Sequence, residues 1–403
     1  MRAPAQSAPG DTPLAAALPA RLLTPGFVQL LLVQMAFGFA FSTFFLLPKF
    51  LATELHAGPA AIGLLSAMFG LAGIAAVPTV SWGLASLEPR ALVVLGSSLM
   101  AVSAFGYLAV HEVGVAAALW RLSQGVASAL VYNAGLLLVT EVTPPGRLAQ
   151  SIGWFAGANL MMNAVAPVAA ELLAERAGFA PAFVLAGAAA LLAALLGSHL
   201  EAGRRPARQA SLWAVARTGN ALRMALVLLL FGVGFGVTFF FSQPFALSLG
   251  IQNVRGFFVA FTLAALFVRV FLGRLSDFIG YSRVSLVALF CYAAATAAMV
   301  WLAVGRLEWI GAALGLAQGF FLPAFTALVL QQARADERGP LMVLFNAYFG
   351  TGSAAVLWLG FAVEHFGYGS VFAATGALVL LAALVLLRWP TPTGVQGAIP
   401  NAR

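Results

Sequence analysis

Charge is what this chain has least of. Asp, Glu, Lys and Arg make up 8% of its 403 residues, against roughly 25% in soluble domains. So little polar material cannot clothe a soluble globule of this size, which excludes a soluble enzyme and equally a disordered chain. Lysine occurs once, at Lys49, and cysteine once, at Cys291. A lone cysteine excludes an internal disulfide and with it a secreted disulfide scaffold; its apolar neighbours make a buried, inert thiol the expected state. The other cations are arginines spread along the chain without a basic, aromatic-interleaved stretch, so the net charge of +8 does not indicate a nucleic-acid partner. Residues 1–25 are rich in Ala and Pro and lack the apolar core and cleavage site of a signal peptide, and they read as a cytoplasmic tail.

What the chain has instead is apolar length: 62% of residues are hydrophobic, and the mean hydropathy is +0.97. A helix needs about 20 mostly apolar residues to cross a bilayer. Twelve such runs can be read, at 26–50, 58–82, 90–110, 114–139, 149–172, 181–199, 223–248, 254–274, 284–304, 308–331, 341–362 and 368–388. No alternating barrel pattern is visible, so the expected class is an all-α integral membrane protein. The longest polar stretch, 201–222, divides the runs into a six-helix bundle at 26–200 and another at 223–388, with a tail at 389–403. Fifteen arginines fall in the predicted inner loops and tails; the outer loops take Lys49, Arg176, Arg255 and Arg306. That asymmetry places both termini in the cytoplasm. Arg121 and Arg269 fall inside predicted spans.

The halves resemble one another. An offset of 189 pairs Glu175 with Glu364, Gly178 with Gly367 and Phe183 with Phe372, and Gln124-Gly125 and Gln318-Gly319 occupy matching places. A duplicated 6+6 arrangement is expected of a carrier with its site between pseudo-symmetric halves.

After the eighth run the chain reads Gly273-Arg274-Leu275-Ser276-Asp277-Phe278-Ile279-Gly280-Tyr281-Ser282-Arg283. This resembles the cytoplasmic signature G-x-L-[ST/A]-D-x-x-G-x-x-R of the major facilitator superfamily. The resemblance implies a latch that closes the cytoplasmic face, with Gly273 packing closely, Gly280 turning tightly and Asp277 supplying fixed charge. The first-half counterpart, Gly83 to Arg90, is shorter and has Leu87 in place of the aspartate, with Glu88 beside it.

Arg121-Leu122-Ser123-Gln124-Gly125 is similar to the superfamily's R-x-x-Q-G signature. It puts a guanidinium about 10 Å inside the membrane, a functional candidate by its cost there; the resemblance implies proton coupling or anion binding, and a structural tie to neighbouring carbonyls stays open. Arg269 reads either as a cavity residue or as one snorkelling to the inner interface. Span 5 carries Pro167 of the antiporter pattern G-P-x-x-G-G, but Ala166, Ala170 and Glu171 replace its glycines. Glu171 is either a titrating carboxylate or an outer-interface residue. Gln34, Asn133, Asn159, Asn163, Gln243, Gln318, Asn346 and Tyr348 are candidate cavity groups, and they serve equally as helix-to-helix glue. The four histidines show no metal spacing, no hydrolase motif is present, and span 1 lacks a carboxylate. The expectation is a monomeric, bacterial inner-membrane carrier without cofactor or metal. It would export a small amphipathic or anionic molecule against protons; a proton symporter is the alternative.

Overall fold

The computed structural model describes residues 23–143, 148–201, 212–272, 275–334 and 337–388. Its helices are α1 (Pro25–Thr43), α2 (Leu47–Thr53), α3 (Pro59–Ala75), α4 (Val77–Ser86), α5 (Pro89–Gly106), α6 (Val115–Val142), α7 (Leu148–Ala177) and α8 (Ala180–Ser198). After the linker come α9 (Leu212–Ala216), α10 (Gly219–Ser248), α11 (Arg255–Phe267), α12 (Leu275–Ile279), α13 (Tyr281–Ala298), α14 (Leu307–Gln331), α15 (Arg338–Ser353) and α16 (Val356–Leu387). There is no strand among the described residues.

Local chemistry explains where these helices start and break. The Thr24 hydroxyl accepts from the Phe27 amide and Pro25 opens α1, while Thr218 caps α10 in the same way. Pro78 has no amide proton to offer the carbonyl one turn back, and the second predicted span divides at that point into α3 and α4. Within α16 the chain turns at Gly367, whose φ of 77° suits a residue without a Cβ. Ten stretches are long and apolar enough to cross a bilayer. The expected twelve runs differ for two reasons: the division at Pro78 leaves a second helix of 17 residues, and the last two runs merge into one stretch, Pro340–Leu387.

The polarity pattern is that of a protein solvated by lipid. Leu95, Val102, Leu195, Val270 and Phe271 are exposed, whereas Gln34, Gln124, Glu171, Gln243 and Gln318 are buried. Cys291 is exposed too, so its thiol does not lie in the core as its apolar neighbours suggested. An apolar run surrounds a residue equally well on a lipid-facing flank.

Two groups of helices pack internally in the same way. In the first, α3 and α5 pack on α6, α5 on α8, and α1 on α7 and α8; in the second, α11 and α13 pack on α14, α13 on α16, and α10 on α15 and α16. Between the groups there are two long seams, α3 against α16 and α7 against α11. The first seam is a backbone contact. A Cβ added at Gly63 would collide with the Val356 carbonyl oxygen, and one at Gly360 would lie 2.6 Å from that of Pro59. Gly63→Ala is therefore expected to lower stability by about 1–3 kcal/mol, because a main chain must move. Gly153→Ala, where nothing lies within 4 Å, should leave the thermal midpoint of the detergent-solubilised protein in place.

Candidate functional site

Arg121 is set one and a half turns into α6 and is 2% exposed. Its Nη1 donates to Gln124 Oε1 at 2.8 Å, three residues on along the same helix face. The guanidinium lies 4.8 Å from the centre of the Phe69 ring on α3, and that ring in turn meets Phe41 of α1 at 5.3 Å. Its Nε is buried without a partner. None of the ion pairs among the described residues involves this arginine or Arg269. One ring face and one amide compensate a buried guanidinium only in part.

Arg269 occupies a π-helical turn, Val268–Leu272, that follows α11. Such turns tilt one side chain out of the regular register and recur at functional sites. Its Nε is also buried and unpartnered, and the guanidinium is within electrostatic range of Tyr132 on α6. Arg269 as a whole is half-buried, so its stem is enclosed while part of the side chain stays accessible. Among the described residues, neither Arg121 nor Arg269 has a carboxylate partner.

The candidate amides divide by what they touch. Asn163 accepts from the Ser42 hydroxyl at 2.7 Å, and Asn159 abuts Gly38, so both join α7 to α1. Asn133 donates to the Ala129 carbonyl of its own helix. Gln243 donates to the Phe45 carbonyl and thereby ties α10 to the first bundle; its Oε1 has no partner. Gln34 and Gln318 are buried, Gln318 with an unpartnered Oε1, while Asn346 is exposed and Tyr348 half-buried.

The bonds that cross between bundles gather at the end away from the linker. Glu171 is fully buried there and accepts from Lys49 Nζ at 2.5 Å. Lys49 also donates to the Gln252 carbonyl at 3.2 Å, and the Val254 amide donates to Glu171 at 3.3 Å. Two expectations change at this point: Lys49 belongs to α2, not to a loop, and Glu171 is enclosed and not at an interface with water. One turn along α7, Glu175 pairs with Arg255 at 2.9 Å, and across the molecule Glu364 accepts from the Ala60 amide at 3.0 Å. These two glutamates are the pair matched by the offset of 189, and each reaches into the opposite bundle.

At the linker end, α4 packs on α3, α5 and α6 of its own bundle. Gly83 is buried against Leu92, and Arg90 pairs with Glu88 at 3.1 Å and reaches the Leu200 carbonyl. Gly280 has a φ of 99° at the start of α13, and Arg283 is exposed. Gly273, and the side chain of Asp277, lie outside the described residues. The four histidines are exposed, and no group of three potential metal ligands occurs among the described residues.

Sequence reasoning missed Lys49 and Tyr132. Lys49 could have been found as the lone lysine inside an apolar segment, Leu47-Pro48-Lys49-Phe50; nothing in the sequence marks Tyr132.

Two internally repeated helical bundles that meet along paired seams, with polar groups turned inward, define the fold of a membrane carrier. The profile of the Major Facilitator Superfamily matches residues 30–313 and 257–403. The chain belongs to that superfamily. No curated protein matches it in sequence. Among solved structures it is similar to a POT family transporter in complex with a thioalcohol-conjugated peptide (TM-score 0.76, 12% identity, 90% of this chain and 95% of that one). It is also similar to the human organic anion transporter MFSD10 (0.71, 16%, 90% and 100%) and to a point mutant of the nucleoside transporter NupG (0.71, 15%, 90% and 99%). At these identities the likeness establishes the fold. The chain is a multi-pass membrane transporter and not an enzyme.

The Glu175–Arg255 pair is partly exposed, so a double-mutant cycle on it should give a coupling below about 1 kcal/mol that shrinks further as salt is added.

Proposed function

We propose that this carrier exports a small anionic or amphipathic organic molecule in exchange for protons, by alternating access. The observation that carries the cargo class is the pair of inward arginines, Arg121 buried in the first bundle and Arg269 half-buried in the second, each with a buried, unpartnered Nε and neither in an ion pair among the described residues. An anion bound between the halves satisfies guanidinium groups that the protein leaves under-satisfied. The half-buried rings of Phe41, Phe69, Phe235 and Phe349 offer apolar surface for the remainder of such a molecule. An organic anion transporter stands among the structural neighbours, which supports the same class.

Export follows from the likeness of spans 4, 5 and 8 to efflux members. The arginine asymmetry supports a bacterial inner-membrane setting with the linker and both termini cytoplasmic. On that orientation the chain comprises bundles at 26–200 and 223–388, acts as a monomer, and is closed towards the outside. Asp277 and Gly273, with Gly83 and Arg90 opposite, form the cytoplasmic latch. Inward symport is the competing reading, favoured by Ala166, Ala170 and Glu171 where antiporters carry glycines; the direction of counterflow in proteoliposomes separates the two.

A thermal-shift screen of matched anionic and neutral compounds tests the cargo class, since a ligand that binds only the folded state raises its melting temperature. Arg121→Ala should weaken anion binding by about 10–100-fold, the size of one or two charge-assisted hydrogen bonds, while membrane insertion is unchanged. Equal binding by the folded variant and the wild type would remove Arg121 from the site. Asp277→Asn should slow anion uptake into inside-out vesicles under a pH gradient but spare the anion's thermal shift.

A further inference from the structure

The two seams between the bundles occupy equivalent positions in the repeat, yet their chemistry differs. Adding the offset of 189 to position 171 gives 360. At 360 there is a glycine, and the contact it makes is backbone on backbone, 2.6 Å from an added Cβ to the Pro59 carbonyl oxygen. At 171 there is a glutamate, fully buried, in the place where the superfamily's antiporter pattern has glycine. At these equivalent positions one seam is therefore packed glycine against backbone, with Glu364 bonded to the Ala60 amide at its exposed end, and the other buries an ionisable group.

The surroundings of Glu171 form a clamp of four groups. Lys49, 12% exposed, and Glu171, 0% exposed, both come from the first bundle. Together they grip one carbonyl and one amide of the second: Lys49 donates to Gln252 and Glu171 accepts from Val254. All the hydrogen bonds to the carboxylate fall on Oε1, and Oε2 is buried with no partner. The charged neighbours are Lys49 on α2 and, one turn further along α7, Glu175, which is already held by Arg255 at the start of α11. Within the clamp, Oε2 is the buried carboxyl oxygen without a partner, the position that a proton on this group would occupy.

We propose that Glu171 is a proton-binding site of this carrier, set in the outer clamp and away from the two arginines, and that its protonation releases the α7–α11 seam. The neutral acid is a poorer acceptor, so it loses both the Lys49 ion pair and the charge-assisted bond from Val254, and Lys49 in turn loosens its hold on Gln252. The seam of α3 and α16 has its own carboxylate, Glu364, which accepts from the Ala60 amide, but that group is exposed and the buried part of the seam is glycine against backbone, so this seam acts as the fixed side of the movement. A ligand shifts a conformational equilibrium only by binding its states unequally, and a proton on Glu171 does so. The inference rests on the carrier reading above for its orientation, but not on the nature of the cargo.

Spin labels at Glu54→Cys on the end of α2 and Leu249→Cys at the end of α10, in a Cys291→Ala background, report the distance across the clamp. The full chain is measured in lipid nanodiscs at pH about 8 and about 3, either side of the range in which carboxylates gain protons in folded proteins. The expected result is a compact distribution at the higher pH and a longer-distance population at the lower. Glu171→Gln should raise that population about ten-fold at the higher pH, one charge-assisted hydrogen bond's worth, and abolish the pH response. Lys49→Met should raise the longer-distance population at the higher pH, because the clamp has lost its ion pair and the bond to the Gln252 carbonyl. A pH-independent distribution in the labelled protein with Lys49 and Glu171 intact would overturn the proposal without recourse to any clamp variant, and so would a preserved response in Glu171→Gln. Failure of every anion to bind, with the distance change intact, would overturn the cargo reading and leave the clamp supported.

Discussion

A polar group inside this protein has no water to fall back on, and that constraint orders the rest of the structure. Each buried polar side chain must find a partner within the chain or be left for something that visits. Glu171 finds Lys49; Asn163 finds Ser42; Gln243 finds the carbonyl of Phe45. Arg121 and Arg269 keep unpartnered nitrogen atoms. The groups with partners hold helices together, and the under-satisfied arginines are what the proposed anionic cargo rests on.

The same constraint explains why the two seams can differ while the fold stays symmetric. Glycines at 63 and 360 let the backbones of α3 and α16 approach until carbonyl oxygens fill the space a Cβ would take. That contact is strong through dispersion and insensitive to pH. A glutamate at the equivalent position cannot approach so closely, and the gap is bridged by hydrogen bonds to a loop of the opposite bundle. Symmetry fixes where the seams lie, whereas side-chain chemistry decides which of them responds to a signal.

Much of the architecture was legible in the amino-acid order because lipid and backbone impose simple rules. The repeat offset joined Glu175 to Glu364 and Gly178 to Gly367; both glycines have a φ of 77°, and both glutamates reach into the other bundle. The interior of the site was harder to read. Lys49 and Glu171 are separated by 122 residues, and no periodicity within one helix reveals a partner on another. The exposure of Cys291 was misjudged because an apolar environment in sequence is the same whether the neighbours are lipid or protein. The turn at Gly367 falls between the last two runs read from the sequence, whereas at Pro78 the backbone breaks inside a run whose hydrophobicity continues.

Separating the cation sites from the clamp has a consequence for exchange. A carrier whose proton and cargo occupy one pocket couples them by competition, so the cargo must fit the space a proton-bearing acid leaves. Here the carboxylate lies near the C-terminal end of α7 against Val254, whereas Arg269 sits in the π-helical turn at the far end of α11, about fifteen residues, or roughly 22 Å, of helix further on. Coupling over that distance has to pass through the seam itself: whatever opens the clamp changes how the bundles present Arg121 and Arg269 to each other. If, as proposed, the proton acts on the frame and an anion on the interior, such an arrangement places few demands on the shape of the cargo beyond its charge. That division of labour predicts a broad choice of cargo, and it agrees with phenylalanine rings and amides near the arginines instead of a tightly fitted set of polar contacts.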